Sequence, residues 1–187
     1  MTKTTKLWLA LAACLFVSLT HVATAWAQAV QERVVPEYHL GAGDKVRVIV
    51  YGEESLSGEF FVSGGGTISF PLIGEVPAAG QNVTSLQEAI AARLRDGYLK
   101  EPRVSVEVLT YRPFYILGEV NRPGEYPYTN NLTVMNAVAT AQGFTYRADT
   151  KRVFVKRAVD ASEQAYPLTS TTPVAPGDTI RIGERFF

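Results

Sequence analysis

The sequence predicts an α+β protein made of two small β-rich units, and three observations carry that expectation. Short apolar runs alternate with polar residues at period two in several places, only two stretches carry apolar residues at helical spacing, and 15 glycines and 10 prolines punctuate the chain. The clearest strand follows Gly41-Ala42-Gly43-Asp44, where Val46, Val48 and Val50 alternate with Lys45, Arg47 and Ile49. Gly41 and Gly43 supply positive φ without a Cβ penalty, and Asp44 can fold its carboxylate onto nearby amides, so this segment reads as a turn launching a strand. Pro176-Gly177-Asp178 before Thr179, Ile180, Arg181 and Ile182 repeats the device near the other end, and reads as the recurrence of a common local turn.

The 187 residues carry a formal net charge of zero and are 47% hydrophobic, a globular composition without the basic excess of a nucleic-acid binder. Lys3 and Lys6 precede an apolar run from Leu7 to Val17, and the small-x-small triplet Ala25-Trp26-Ala27 follows, so residues 1–27 read as a secretory signal peptide cleaved after Ala27. Leu11-Ala12-Ala13-Cys14 resembles a lipoprotein box, with a lipid anchor at Cys14 as the alternative. The apolar run continues past Cys14, however, where a polar tether would be expected. Cys14 is the only cysteine, so cleavage after Ala27 leaves a chain with neither disulfide nor thiolate metal site. Residues 28–37 form a polar lead.

The first unit is expected over residues 38–110. Phe60-Phe61-Val62 and Thr67-Ile68-Ser69-Phe70 flank Gly64-Gly65-Gly66 as a hairpin signature, and because a strand follows the glycines, where a phosphate loop needs Lys and Ser or Thr opening a helix, that loop is rejected. Pro71, Gly74, Pro77 and Gly80 mark short strands joined by turns. Thr84 and Gln87 fit a capping box for a helix carrying Leu86, Ala89, Ile90 and Leu94, stopped by Gly97, with Arg93, Arg95 and Asp96 on its solvated side. Val104, Val106 and Val108 make the closing strand. The boundary falls at Tyr111-Arg112-Pro113.

The second unit, residues 111–187, opens on the run Phe114 to Leu117. Asn121-Arg122-Pro123-Gly124 reads as a type II turn with Gly124 at positive φ, so that Gly124→Val should damage folding or assembly more than Glu119→Gln. A helix capped by Thr133 runs to Ala141 with Gly143 as its stop, Val153-Phe154-Val155 is a strand, and Ile180 and Ile182 supply the last one. Units of roughly 75 residues have marginal cores, which favours packing between units or between subunits.

Chemistry is sparse. His39 is the only histidine past the signal peptide, so no zinc site or Ser-His-Asp triad is expected, and no cofactor is implied. Glu53 with Glu54, or Glu119 with Glu125, are the carboxylates from which a glycosidase pair would have to be built, although surface carboxylates near turns are the plainer reading. Nine tyrosines and nine phenylalanines include candidates for sugar stacking, but most belong in half-buried strand faces.

Tyr38-x-Leu40-Gly41-x-Gly43-Asp44-x-Val46-x-Val48-x-Val50-Tyr51, followed by Gly66-Thr67-Ile68-x-Phe70-Pro71-Leu72-Ile73-Gly74 and Gly80, resembles the opening blocks of the bacterial polysaccharide export proteins of the outer-membrane auxiliary type. Gly118-Glu119-Val120-x-x-Pro123-Gly124-x-Tyr126 and the later Pro176-Gly177-Asp178 are similar to the soluble-ligand-binding β-grasp (SLBB) modules of those proteins. The resemblance covers nearly all of the chain past the signal peptide. It implies a polysaccharide export domain followed by a β-grasp-like domain, no catalysis, and the family-motif residues just quoted as structural positions, without saying which residues touch sugar.

The resemblance further implies an exported, periplasmic protein associated with the outer membrane. There it would assemble into a homo-oligomeric ring and give a capsular or extracellular polysaccharide a protected route. Long members add further repeats and a C-terminal pore helix. Only five residues follow Ile182 here, far short of the ~20 of a helical span. A separate outer-membrane pore protein and an inner-membrane chain-length regulator are therefore the expected partners. A monomeric periplasmic glycan-binding adaptor is the second reading, and a glycan-acting enzyme the third.

Overall fold

The computed structural model describes residues 37–185. The expected signal peptide, Cys14, all but the last residue of the polar lead, and Phe186-Phe187 lie outside the described residues. Tyr38 onward forms one compact unit, within which two separate hydrophobic cores lie in sequence.

The first core is enclosed by three elements. Strands β1 (Lys45–Val50), β2 (Gly58–Phe61) and β5 (Val104–Thr110) form an antiparallel sheet in the order β2-β1-β5. Alternation along β1 buries Val46, Val48 and Val50 and leaves Arg47 and Ile49 on the open face. Strands β3 (Thr67–Phe70) and β4 (Gly74–Pro77) form a separate two-stranded hairpin. Helix α1 (Val83–Arg95) places Leu86, Ile90 and Leu94 at zero exposure against both. Each of these side chains stabilises the fold by about 1.5–3 kcal/mol through burial.

Two sequence expectations are corrected here. Gly64-Gly65-Gly66 does not join a hairpin: β2 pairs with β1, whereas β3 pairs with β4. The glycines make a local turn in which the Ser63 amide donates to the Thr67 carbonyl and the Gly66 amide to the Ser63 carbonyl. The hairpin turn is Pro71-Leu72-Ile73, one position of which, Leu72, takes φ 68°. Helix α1 is capped by Asn82, not Thr84. The Asn82 side chain accepts from the Ser85 amide at 2.7 Å, which leaves Thr84 inside the first turn. The stop is as expected, with Gly97 at φ 94° after the last turn.

The second core lies under a five-stranded sheet of order β7-β6-β10-β8-β9, built from β6 (Phe114–Gly118), β7 (Gly124–Tyr126), β8 (Ala148–Lys156), β9 (Gln164–Pro167) and β10 (Thr179–Glu184). Only β6 and β10 run parallel. Helix α2 (Val134–Thr140), capped by Thr133, sets Val134, Ala137 and Val138 against Phe114, Ile116, Ile180 and Ile182. Among the described residues, helices α1 and α2 and the three sheets establish the α+β class.

Gly124 is not at positive φ; it is the first residue of β7, opposite Ile116. A Cβ there meets nothing nearer than a Tyr126 ring atom at 4.0 Å. The strain anticipated for Gly124→Val is therefore absent, because the extended backbone of an edge strand suits a β-branched residue. Chemical unfolding should place Gly124→Val within about 0.5–1 kcal/mol of the parent.

Candidate functional site

The turn Gly41–Asp44 is closed by the Asp44 amide donating to the Gly41 carbonyl at 3.1 Å. Its carboxylate turns back so that Oδ2 accepts from the Gly41 amide at 2.7 Å and from the Tyr38 hydroxyl at 2.5 Å. Asp44 has no exposure to solvent. Burying a carboxylate is costly unless charge and hydrogen bonds surround it, and the remaining donors come from the segment between the two cores. The Arg112 amide donates to Asp44 Oδ1 at 2.7 Å, and Nη1 of the same residue donates to Oδ2 at 3.2 Å and to the Tyr38 hydroxyl oxygen at 3.0 Å.

Arg112 reaches the second core as well. Its Nε donates to the Pro176 carbonyl at 3.1 Å, in the turn that launches β10. Tyr38 and Tyr111 meet edge-to-face at 4.8 Å, and Tyr111 meets Tyr128 in the same manner at 5.4 Å, so rings bridge the junction beside the guanidinium.

Burial, the hydrogen bond to Asp44 and the charge of Asp44 push the Tyr38 phenol above its usual value of 10.0, with Arg112 opposing. A raised value in the folded state means that the phenol's stabilising effect is fully present below about pH 10 and is lost as pH rises further, because unfolding then releases its proton. Tyr38→Phe should cost about 1.5 kcal/mol near neutrality and flatten the alkaline decline of stability. Urea midpoints taken between about pH 8 and pH 11 check both effects.

The echo of Gly-Asp at the two ends is a shared structure. In Ala175–Asp178, as in Gly41–Asp44, the Asp amide donates to the first carbonyl at 3.1 Å and the carboxylate accepts from the first amide at 2.7 Å. Gly43 and Gly177 take φ 93° and 82° at the same place, whereas Gly41, also expected at positive φ, is not in that region. Asp178 is also buried, and its arginine is Arg157 of the second unit. Burial raises the Asp178 carboxyl above the ordinary carboxylate range, while the Ala175 amide and Arg157 pull against that rise.

The other family-motif positions distribute around this junction. Gly80 donates to the Leu40 carbonyl and Leu40 to the Gln81 carbonyl, both at 2.8 Å, which ties the two motif blocks of the first unit together. The Gly66 carbonyl accepts from Ala78 and Ala79. Pro71 and Gly74 lie at the tip of the β3–β4 hairpin, remote in the chain from the clustered turns. Gly118 packs against β10, while Pro123 and Gly124 enter the edge strand β7. Thus Gly41, Gly43, Asp44, Gly177 and Asp178 come together, and the rest do not join them.

Sequence reasoning reads Tyr111 and Arg112 only as a boundary and misses Tyr128 and Arg157. An arginine between an aromatic residue and a proline at a unit boundary is the one signal available, and a carboxylate partner 68 positions away is not readable from spacing.

The carboxylates considered for catalysis are engaged in local structure or spread out. Glu119 accepts from the Thr145 hydroxyl, Glu125 faces Tyr115 across β6 and β7, and Glu53 precedes the 3-10 turn Glu54–Leu56. Among the described residues no group of three or more His, Cys, Asp or Glu side chains could hold a metal ion, and no helix is long and apolar enough to cross a membrane.

The profile of the polysaccharide biosynthesis/export protein family matches residues 32–109, and that of the SLBB domain matches residues 112–182. The exopolysaccharide production protein ExoF of Rhizobium meliloti is 37% identical over 141 residues, 69% of this chain and 33% of the relative. The polysialic acid transport protein KpsD of Escherichia coli is 27% identical over 160 residues, 80% of this chain and 29% of the relative. The EPS I polysaccharide export outer membrane protein EpsA of Ralstonia nicotianae is 26% identical over 183 residues, 79% of this chain and 48% of the relative. The chain thus spans 29% to 48% of the length of these relatives. With an export domain and an SLBB domain following one another across the Arg112 junction, the chain belongs to the bacterial polysaccharide export proteins.

Proposed function

We propose that the chain serves the export of a capsular or extracellular polysaccharide as a ring-forming accessory of the periplasm and outer membrane, with no covalent chemistry of its own. The observation that carries this reading is the succession of the two matched domains, one on each hydrophobic core. Supporting the ring are two small cores with free strand edges at β2, β7 and β9. Each unit also exposes its own apolar side chains, Tyr51 and Phe61 on the first and Tyr115 and Leu117 on the second. A head-to-tail interface needs two unlike patches on one subunit, and cyclic closure satisfies every one of them. The partners this role calls for are an inner-membrane chain-length regulator and a separate outer-membrane pore protein.

Light scattering on the chain from Gln28 across a concentration series tests the assembly. A mass at a fixed multiple of the protomer is expected. A monomer at every concentration would favour the glycan-binding adaptor instead, and shortening of the cognate polymer on incubation with the protein would favour an enzyme.

A further inference from the structure

We infer that Arg112 is a lock that fixes the angle between the two units, seated in a slot that Gly41 and Gly177 keep open by having no side chains. A Cβ built on Gly41 would lie 2.0 Å from Arg112 Nη1 and 2.6 Å from its Cζ, and one on Gly177 would lie 2.7 Å from Nε. The two Gly-Asp turns thus form opposite walls, one from each unit, and the guanidinium fills the space between them. Its charge is matched by Asp44 on one wall and its Nε–H by the Pro176 carbonyl on the other.

Several features distinguish this arrangement from an ordinary ion pair. An exposed pair is worth only about 0–1 kcal/mol, and the ladder of Lys45, Glu59, Arg47 and Glu107 on the open face of β1 is of that kind. Asp44 is instead fully buried and accepts from four donors, two of them on Arg112. The linker is pinned from behind, because the Pro113 carbonyl accepts from the Gly177 amide at 3.0 Å. Lysine cannot reproduce the contact, since a single ammonium cannot present the fork that meets Asp44, Tyr38 and Pro176 together. The lock acts whatever the chain assembles with; in a ring it would let both units meet their neighbours at once.

The test places spin labels at Ser55→Cys and Ser162→Cys, exposed positions in the two units, in the chain from Gln28. Arg112→Ala should replace one narrow inter-label distance by a broad distribution while circular dichroism shows both units folded. A distribution as narrow as the parent's would overturn the lock. Should Arg112→Ala not fold, Arg112→Lys is read in the same way. Gly41→Ala supplies an independent arm, because Gly41 is not at positive φ and the substitution adds only the clash with Arg112. It should broaden the distribution and lower the melting temperature when Arg112 is present, and should do neither in the Arg112→Ala background. Equal effects of Gly41→Ala in both backgrounds would also sink the inference.

Discussion

Gly118→Ala is expected to destabilise the protein by roughly 2–5 kcal/mol, the sum of left-handed strain and a backbone clash. Gly118 takes φ 87° at the end of β6, and a Cβ there would stand 2.1 Å from the Ile182 carbonyl oxygen. That oxygen cannot move aside, because it accepts from the Glu119 amide at 3.0 Å in the only parallel pairing of the sheet. Relief would require β6 and β10 to part where Ile116, Ile180 and Ile182 are sealed in the core. Gly52→Ala is the matching control: φ is 85° there, but nothing lies within 4 Å of the added Cβ. Urea unfolding of the two variants separates the terms, and a Gly118→Ala loss no larger than that of Gly52→Ala would refute the clash.

Much of the fold was legible because its signals are local. Alternation in β1 and β5, the apolar spacing of α1, and the Thr133 cap of α2 each depend on residues a few positions apart, and each stands where the sequence places it. The errors arose where a nearby competitor offered the same chemistry. Asn82 and Thr84 are both good caps, and only the register of Leu86, Ile90 and Leu94 against the sheet decides between them. The three glycines looked like a hairpin because two strand-like runs flank them, but strand pairing is settled by partners elsewhere. β2 is claimed by β1, whose Val46 stands opposite Phe60.

The junction was legible in parts but not as an arrangement. Both Gly-Asp turns were visible, and reading each as a local turn was correct as far as spacing reaches. What joins them is Arg112, sitting 68 residues from Asp44 and 64 from Pro176. Sequence periodicity carries no information at such separations. The choice of arginine partner is equally hidden, because Asp44 takes Arg112 across the junction whereas Asp178 takes Arg157 from its own unit.

Asp44→Ala is expected to cost about 3–5 kcal/mol, the loss typical of removing one member of a buried ion pair. The substitution strands the Gly41 and Arg112 amides, frees the Tyr38 hydroxyl, and leaves the Arg112 charge facing a cavity, since its side chain is only 18% exposed. Asp44→Asn should recover little. Oδ1 accepts from the Arg112 amide while Oδ2 accepts from Gly41, Tyr38 and Arg112 Nη1, so an amide NH2 in either place meets a donor. Arg47→Ala, in the strand that follows, breaks the exposed pairs with Glu59 and Glu107 and sets the scale at about 1 kcal/mol or less for each. Because Asp44 and Arg112 share one set of bonds, Asp44→Ala combined with Arg112→Ala should cost clearly less than the sum of the two alone. A full double-mutant cycle by denaturant unfolding measures that coupling. Strict additivity would mean that the carboxylate serves only its own turn and that the guanidinium does not depend on it.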